Sequence, residues 1–340
     1  MNTPRYEFSE TQLKNNYYQF KNTIPDVSIF YSVKCNASKF VLQVLSSLES
    51  GFEISSCLEF DKLCLLGVPS ERIICGLPVK PESLITYLFE RGIQYFVFDD
   101  MQEYAKLCKI APQVKKILRL YVKDIGQHCI EYGMQYNVVL SNLMQLQNID
   151  GLSFHISENT NIDIMLRVLD RIELILKNMP KKDSRFILNI GGSYELREDL
   201  RIYYEQLNQR LARLKKLYGL EIYAEPGASI VNTAGKVISQ VVLTKVQDGF
   251  TDVYLDAGIP IGVMRPPGTI KIINHNRCMK KSKYYRFFDI TSLHRLLFQK
   301  KLKWEIKEGD FVELGDYGAY TLCYRNDFHC WESPEEILTI

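Results

Sequence analysis

Two hydrophobic periods alternate along the chain after residue 25. Short runs rich in β-branched and aromatic residues read as buried strands: Val27–Val33, Gly51–Ser55, Ile73–Gly76, Tyr95–Phe98, Ile117–Tyr121, Gly151–His155, Phe186–Ile190 and Ile222–Ala224. Between them, "FVLQVLSSLES", "PESLITYLFERG", "MQEYAKLCKIA" and "MLRVLDRIELILKNM" place apolar residues at helical spacing. Parallel neighbours need a helical crossover, so strict alternation predicts a parallel sheet. Eight such units in about 200 residues predict a closed (β/α)8 barrel rather than an open doubly wound sheet. From about Lys236 the chain reads as strands and turns ("KVISQVVLTKVQ", "DVYLDAGI", "TIKIINH", "DFVELGDYGAYT"), which predicts a second, all-β domain. The expected division is a barrel over residues 25–235 and a β domain made of residues 1–24 and 236–340. In the leading segment, "SETQLKNNYYQFKNTI" reads as a serine-capped helix.

Composition narrows the partners. With 46% apolar residues in 340, a full core is available. The 42 basic and 40 acidic residues are spread along the chain with only short basic clusters such as Lys280, Lys281 and Lys283, so charge makes no case for nucleic acid or a membrane. No apolar run approaches the roughly 20 residues of a membrane span, and "MNTPRYEFSE" lacks a secretory layout, so a cytoplasmic protein is expected. Nine cysteines without a C-x-x-C pair fit reduced thiols, and five histidines never reach metal-ligand spacing, so no metal is expected.

A barrel carries its functional groups where strands end at the C-terminal face. Lys34 is expected to end the first strand, Glu53 to lie in the second, His155 to end the sixth, "NIGGS" (Asn189 to Ser193) the seventh and "AEPGAS" (Ala224 to Ser229) the eighth. Each alone has an ordinary reading: a solvent-reaching lysine, a satisfied core histidine, a tight turn at Gly191 and Gly192. Jointly they converge on one mouth. Paired glycines let backbone N–H groups approach a phosphate, a lysine forms a Schiff base with an aldehyde, and a buried carboxylate such as Glu225 holds a pyridine nitrogen protonated. This set describes pyridoxal 5′-phosphate (PLP).

"YSVKCN" resembles the lysine motif of the barrel-type (fold type III) PLP decarboxylases, the group of ornithine, arginine and diaminopimelate decarboxylases. The likeness extends over nearly the whole chain through "TPRYEFSETQLKNN", "GFEISSCLE", "SFHISE", "LNIGGSY", "AEPGAS", "LDAGIPIGVMRP" and "GDFVELGDYGAYT". It implies that Lys34 is the Schiff-base lysine, buried because it is neutralised as an imine, and that Glu225 partners the pyridine nitrogen. His155 would stack on the ring, Gly191, Gly192 and Gly227 would cradle the phosphate, and Tyr320 would reach it from the β domain. Glu53 and Glu59 match acidic positions near the cofactor. Where relatives carry an arginine the chain has Ala228, so Ser229, Ser157 or Ser193 is expected to take over part of its contact. Arg265 is kept as a candidate for an anionic part of the substrate, while Thr269 replaces a tyrosine of the diaminopimelate branch. The cysteine-acid pair of relatives falls near "DITSLH", which makes Thr291 and Ser292 the catalytic candidates and Asp289 and His294 their substrate-side neighbours. The resemblance therefore implies α-decarboxylation of a small amino-acid-like substrate in a homodimer with shared active sites. The altered recognition positions point to an unusual substrate, such as the aminocarboxypropyl group on a nucleotide-linked peptide treated by the decarboxylase domain of microcin C (antibiotic) assembly. A racemase of the same architecture and a non-catalytic regulatory relative are the alternatives.

Overall fold

The computed structural model describes residues 2–125, 132–157, 160–180, 185–274 and 277–340. They form two compact units: Asn16–Lys34 with Leu45–Ser229, and Met1–Asn15 with Cys35–Val44 and Ile230–Ile340. Strand β1 (Arg5–Ser9) belongs to the second of these. Its Ser9 accepts the Gln12 N–H at 3.2 Å and caps the helix Glu10–Thr23, the serine cap legible in the sequence.

The first unit is a closed barrel of eight parallel strands in sequence order: β2 (Ser28–Ser32), β3 (Gly51–Ile54), β4 (Ile73–Cys75), β5 (Tyr95–Phe98), β6 (Lys115–Arg119), β7 (Gly151–Ser153), β8 (Phe186–Asn189) and β9 (Leu220–Ala224). Pairing of Ser28 with Tyr223 and Ile29 with Ala224 closes it. Each strand overlaps one of the eight apolar runs. Phe30, Ile74, Val97, Ile117, Ile187 and Tyr223, from six strands, pack together in a buried cluster. Small residues make room for the large ones. A Cβ on Gly51 would stand 2.5 Å from the Phe30 ring, so that ring fills the space a side chain at 51 would need. Outside the barrel, Asn161 accepts the Asp163 and Ile164 N–H groups to cap the helix Ile162–Asn178. The helix Arg201–Tyr218 ends at Gly219, left-handed at φ +66°, which a side chain would strain.

The second unit holds a sheet in the order β12 (Ile270–Ile272), β15 (Phe311–Gly315), β10 (Gly235–Gln247), β11 (Phe250–Leu255), β13 (Cys278–Asp289) and β14 (Leu296–Trp304). β1 pairs with β10 antiparallel and with β16 (Glu335–Thr339) parallel. Asp248 and Gly249, both at positive φ, join β10 to β11 in a two-residue hairpin turn whose twist matches the strands.

Candidate active site

Strand β2 stops at Ser32, and one 3-10 turn, Val33–Cys35, carries Lys34. Val33 and Cys35 are buried, so the side chain between them is forced outward. Its Nζ lies 3.2 Å from Glu53 Oε2, and the two side chains are 51% and 2% exposed. The expected burial of Lys34 is therefore corrected: the buried partner is the carboxylate, and the ammonium answers it from the solvent side. Glu53 also accepts the Ser32 hydroxyl at 2.6 Å and the Ser55 hydroxyl at 3.3 Å. Burial would raise its pKa; the Lys34 ammonium and these hydroxyls outweigh burial and hold the carboxyl below its ordinary range. Gly76 leaves the space for this group, since a Cβ there would fall 2.3 Å from Glu53 Oε1. Glu59 accepts the Ser55 N–H at 2.6 Å, while its own N–H reaches the Ser56 hydroxyl at 3.2 Å. It works at the start of the helix Cys57–Leu65, with its pKa raised by burial.

The loops after β7, β8 and β9, the last of which adjoins β2, build the next part of the mouth. His155 lies two residues beyond the end of β7, where the chain has left the ladder. Gly192 N–H reaches its Nδ1 at a long 3.5 Å, and Ser193 Oγ stands 3.4 Å from Nε2. Burial, with the charges of Arg119 and Lys34, lowers its pKa to about 4, so near neutrality it presents an uncharged flat ring. Asn189 ends β8 and works in two directions: Nδ2 donates to Glu225 Oε1 at 2.6 Å, and Oδ1 accepts the Gly191 N–H at 3.0 Å. Burial and then the Glu53 charge raise the Glu225 pKa to about 7, against the pull of Lys34, Asn189 and Arg119. Gly191 and Gly192 are needed for close approach, since Cβ atoms there would sit 2.4 Å from the carbonyl oxygens of Phe154 and Glu225. Past Gly227, the buried Ser229 hydroxyl has no hydrogen-bond partner among the described residues. Ser157, half-buried, follows in the loop after β7.

Ser32 and Asn189 lie inside motifs read from the sequence, which give them no role of their own, and sequence reasoning misses Arg119 altogether. Ser32 and Asn189 orient the two carboxylates. Arg119 ends β6; its charge acts on both His155 and Glu225, and its buried Nε lacks a partner among the described residues. The rule that barrel chemistry sits at strand ends would have found it, had that strand been ended at Arg119 rather than Tyr121.

The remaining candidates lie in the other unit. Tyr320, at φ +51°, donates its N–H to Cys35 O at 3.0 Å and stacks on Tyr324. Arg265 donates to Asn232 Oδ1 at 2.8 Å and to the Asp316 and Ala319 carbonyls, with its guanidinium 5.0 Å over the Tyr317 ring. Asp289 Oδ1 accepts the Thr291 hydroxyl at 2.8 Å, and its buried Oδ2 has no partner among the described residues. His294 bonds the Tyr254 hydroxyl at 3.0 Å and stacks on Phe288 at 4.7 Å. Exposed Ser292 Oγ lies 2.8 Å from Nε2 of His329, a residue no sequence motif singled out.

Residues 10–232 match the family model described as "Pyridoxal-dependent decarboxylase, pyridoxal binding domain". The ornithine decarboxylase of Rattus norvegicus is 26% identical over 94% of this chain and 76% of its own length. Antizyme inhibitor 2 of Xenopus laevis is 27% identical over 67% of this chain and 53% of its own. The arginine decarboxylase of Paramecium bursaria Chlorella virus superposes with a TM-score of 0.88 at 21% identity, covering 99% of this chain and 97% of that one. The lysine/ornithine decarboxylase of Vibrio vulnificus, solved with cadaverine, gives 0.85 at 19% identity, covering 99% and 94%. At these identities the structural likeness speaks for the fold.

Proposed function

The chain belongs to the pyridoxal-dependent decarboxylases, PLP-dependent carboxy-lyases, and from that premise we propose that it removes the α-carboxyl group of a non-standard amino-acid-like substrate. The residues of the barrel mouth fit the cofactor. Ser229 offers an orphaned buried hydroxyl, and Gly191 and Gly192 form a cradle that any Cβ would fill. We assign the phosphate to Gly191, Gly192, Ser193, Gly227 and Ser229, with Ser157 and Tyr320 as further contacts. When bound, PLP supplies an electrophilic aldehyde and an electron sink. Lys34 supplies the amine, oriented by Glu53. His155 supplies a neutral ring to lie against the cofactor. Glu225, fixed by Asn189 and titrating near neutrality, holds a proton at the ring nitrogen. Thr291 is held by Asp289, so Ser292 with His329 is assigned the delivery of the proton that replaces the carboxyl group. Arg265, Asp289 and His294 are the substrate-side candidates, and a homodimer is part of this reading.

The pairing of Lys34 with Glu53 and of Asn189 with Glu225 at one barrel mouth is the observation that carries it. Thr269, where the diaminopimelate branch carries a tyrosine, speaks against diaminopimelate itself as the substrate. An amine-product screen by mass spectrometry with PLP added is expected to yield an amine and CO2, and borohydride is expected to fix the cofactor on Lys34. Racemised amino acid without CO2 would favour the racemase reading. Cofactor-free protein with no product would favour a non-catalytic relative, a reading kept in view by the likeness to antizyme inhibitor 2.

A further inference from the structure

The decarboxylase reading leaves six lysines of the second unit unused: Lys280, Lys281 and Lys283 on β13, and Lys300, Lys301 and Lys303 on β14. In the sequence they are two short clusters. Antiparallel pairing merges them, setting Lys283 opposite Leu302, Tyr284 opposite Lys301 and Tyr285 opposite Lys300. All six are exposed, and none forms an ion pair among the described residues. The single acid within either strand is Asp289, at the far end of β13 and buried. Nearby acids are engaged elsewhere: Asp252 with Arg286 at 2.6 Å and Glu305 with Lys307 at 3.2 Å.

Directly paired residues share a sheet face and successive residues alternate. Lys283 and Lys300 therefore lie on one face of the ribbon, and Lys301 and Lys303 on the other. A flat lipid surface meets one face at a time, whereas a flexible polyanion can follow both. Tyr284 adds a second requirement. It is 53% exposed, with Lys301 Nζ 5.1 Å over its ring and Phe250 edge-on at 6.3 Å, so a flat, cation-flanked ring stands among the ammoniums. An acidic peptide has no use for such a platform; a nucleobase does. Lysines are point charges without the planar fork that reads base edges, so they suit backbone phosphates of any sequence. We propose that this ribbon binds single-stranded nucleic acid without sequence preference, phosphates meeting the lysines and a base stacking on Tyr284.

Fluorescence anisotropy of the full chain with a labelled mixed-sequence single-stranded oligonucleotide tests this, with amine production and circular dichroism as checks that variants stay folded. Single-strand binding weakens with a log–log salt slope of about −0.7 per phosphate contacted, so six contacts give about −4. The triple change Lys280→Gln, Lys281→Gln, Lys283→Gln is expected to make that slope shallower by about 2. Tyr284→Ala is expected to weaken binding about tenfold and leave the slope unchanged. Four results would overturn the proposal: no binding at low salt; a triple variant that binds like the parent; phosphatidylserine vesicles bound through these lysines while the oligonucleotide is not; or polyglutamate competing fully while Tyr284→Ala has no effect.

Discussion

Two buried titratable residues carry opposite pH signatures. Glu225 has its pKa raised to about 7 by burial and by Glu53, so the fold favours its protonated form. Its stabilising contribution is complete below the unfolded carboxyl value of about 4.5 and is lost as pH rises through about 7. Glu225→Gln removes that charge while leaving an amide for Asn189, so its melting temperature relative to the parent is expected to rise between pH 5 and 8. Turnover is expected to fall at least about a hundredfold, because a neutral amide cannot favour a protonated ring nitrogen. A variant whose stability relative to the parent is no greater at pH 8 than at pH 5 would show that the carboxylate costs the fold nothing. His155 behaves oppositely. Its depressed pKa gives stability that is complete above the unfolded value of about 6.5 and lost as pH falls through about 4. His155→Phe keeps a flat ring that cannot protonate, so its unfolding free energy from urea titration is expected to fall less than the parent's between pH 6.5 and 4, by up to about 3 kcal/mol at the acid end.

At the scale of elements, all eight barrel strands were legible, because a parallel strand buried on both faces is an almost unbroken apolar run. Their ends were less legible. Strand β6 starts at Lys115 and Lys116, which read as loop residues, yet Lys116 is buried and donates to the Pro112 and Val114 carbonyls at 2.8 and 2.9 Å. Reading the strand two residues late hid Arg119 at its end. A second buried lysine was equally invisible. Lys80 donates to the carbonyls of Leu77, Pro78 and Val97 at 2.9, 2.9 and 2.6 Å and pairs with Glu103 at 3.4 Å, tying the loop after β4 to β5. No period marks a lysine whose partners are backbone carbonyls brought together only by the fold. Lys80→Met keeps the stem but strands three buried carbonyls and leaves Glu103 with Lys106 as its remaining cation, so a loss of about 3 kcal/mol is expected by urea denaturation. A loss under about 1 kcal/mol would mean that the loop is held by packing instead.

At the scale of the whole molecule, averaging is what concealed function. A formal charge of +2 says nothing of a ribbon that gathers six lysines by pairing. In the same way, Thr291 and Ser292 stand in the sequence where relatives have their cysteine-acid pair, and the histidine beside them in the chain is His294. That imidazole is engaged with Tyr254 and Phe288, and the one bonded to Ser292 comes from 37 residues further along the chain. An imidazole is a far better acid near neutrality than an aliphatic hydroxyl, so a Ser292 backed by His329 can deliver a proton that a lone serine would deliver poorly. Poor delivery would leave a chemical signature: protonation at the cofactor's C4′ carbon followed by hydrolysis would give an aldehyde and pyridoxamine phosphate in place of amine and PLP. The parent protein is therefore expected to form little pyridoxamine phosphate over many turnovers. His329→Gln and Ser292→Ala are each expected to raise that fraction at least several-fold, and Thr291→Ala to change it less, since Thr291 is bonded to Asp289. Chromatography of the released cofactor measures this directly. If His329→Gln left the fraction unchanged while Thr291→Ala raised it, the proton would travel through Thr291 and Asp289, and the pairing of Ser292 with His329 would have no part in the chemistry.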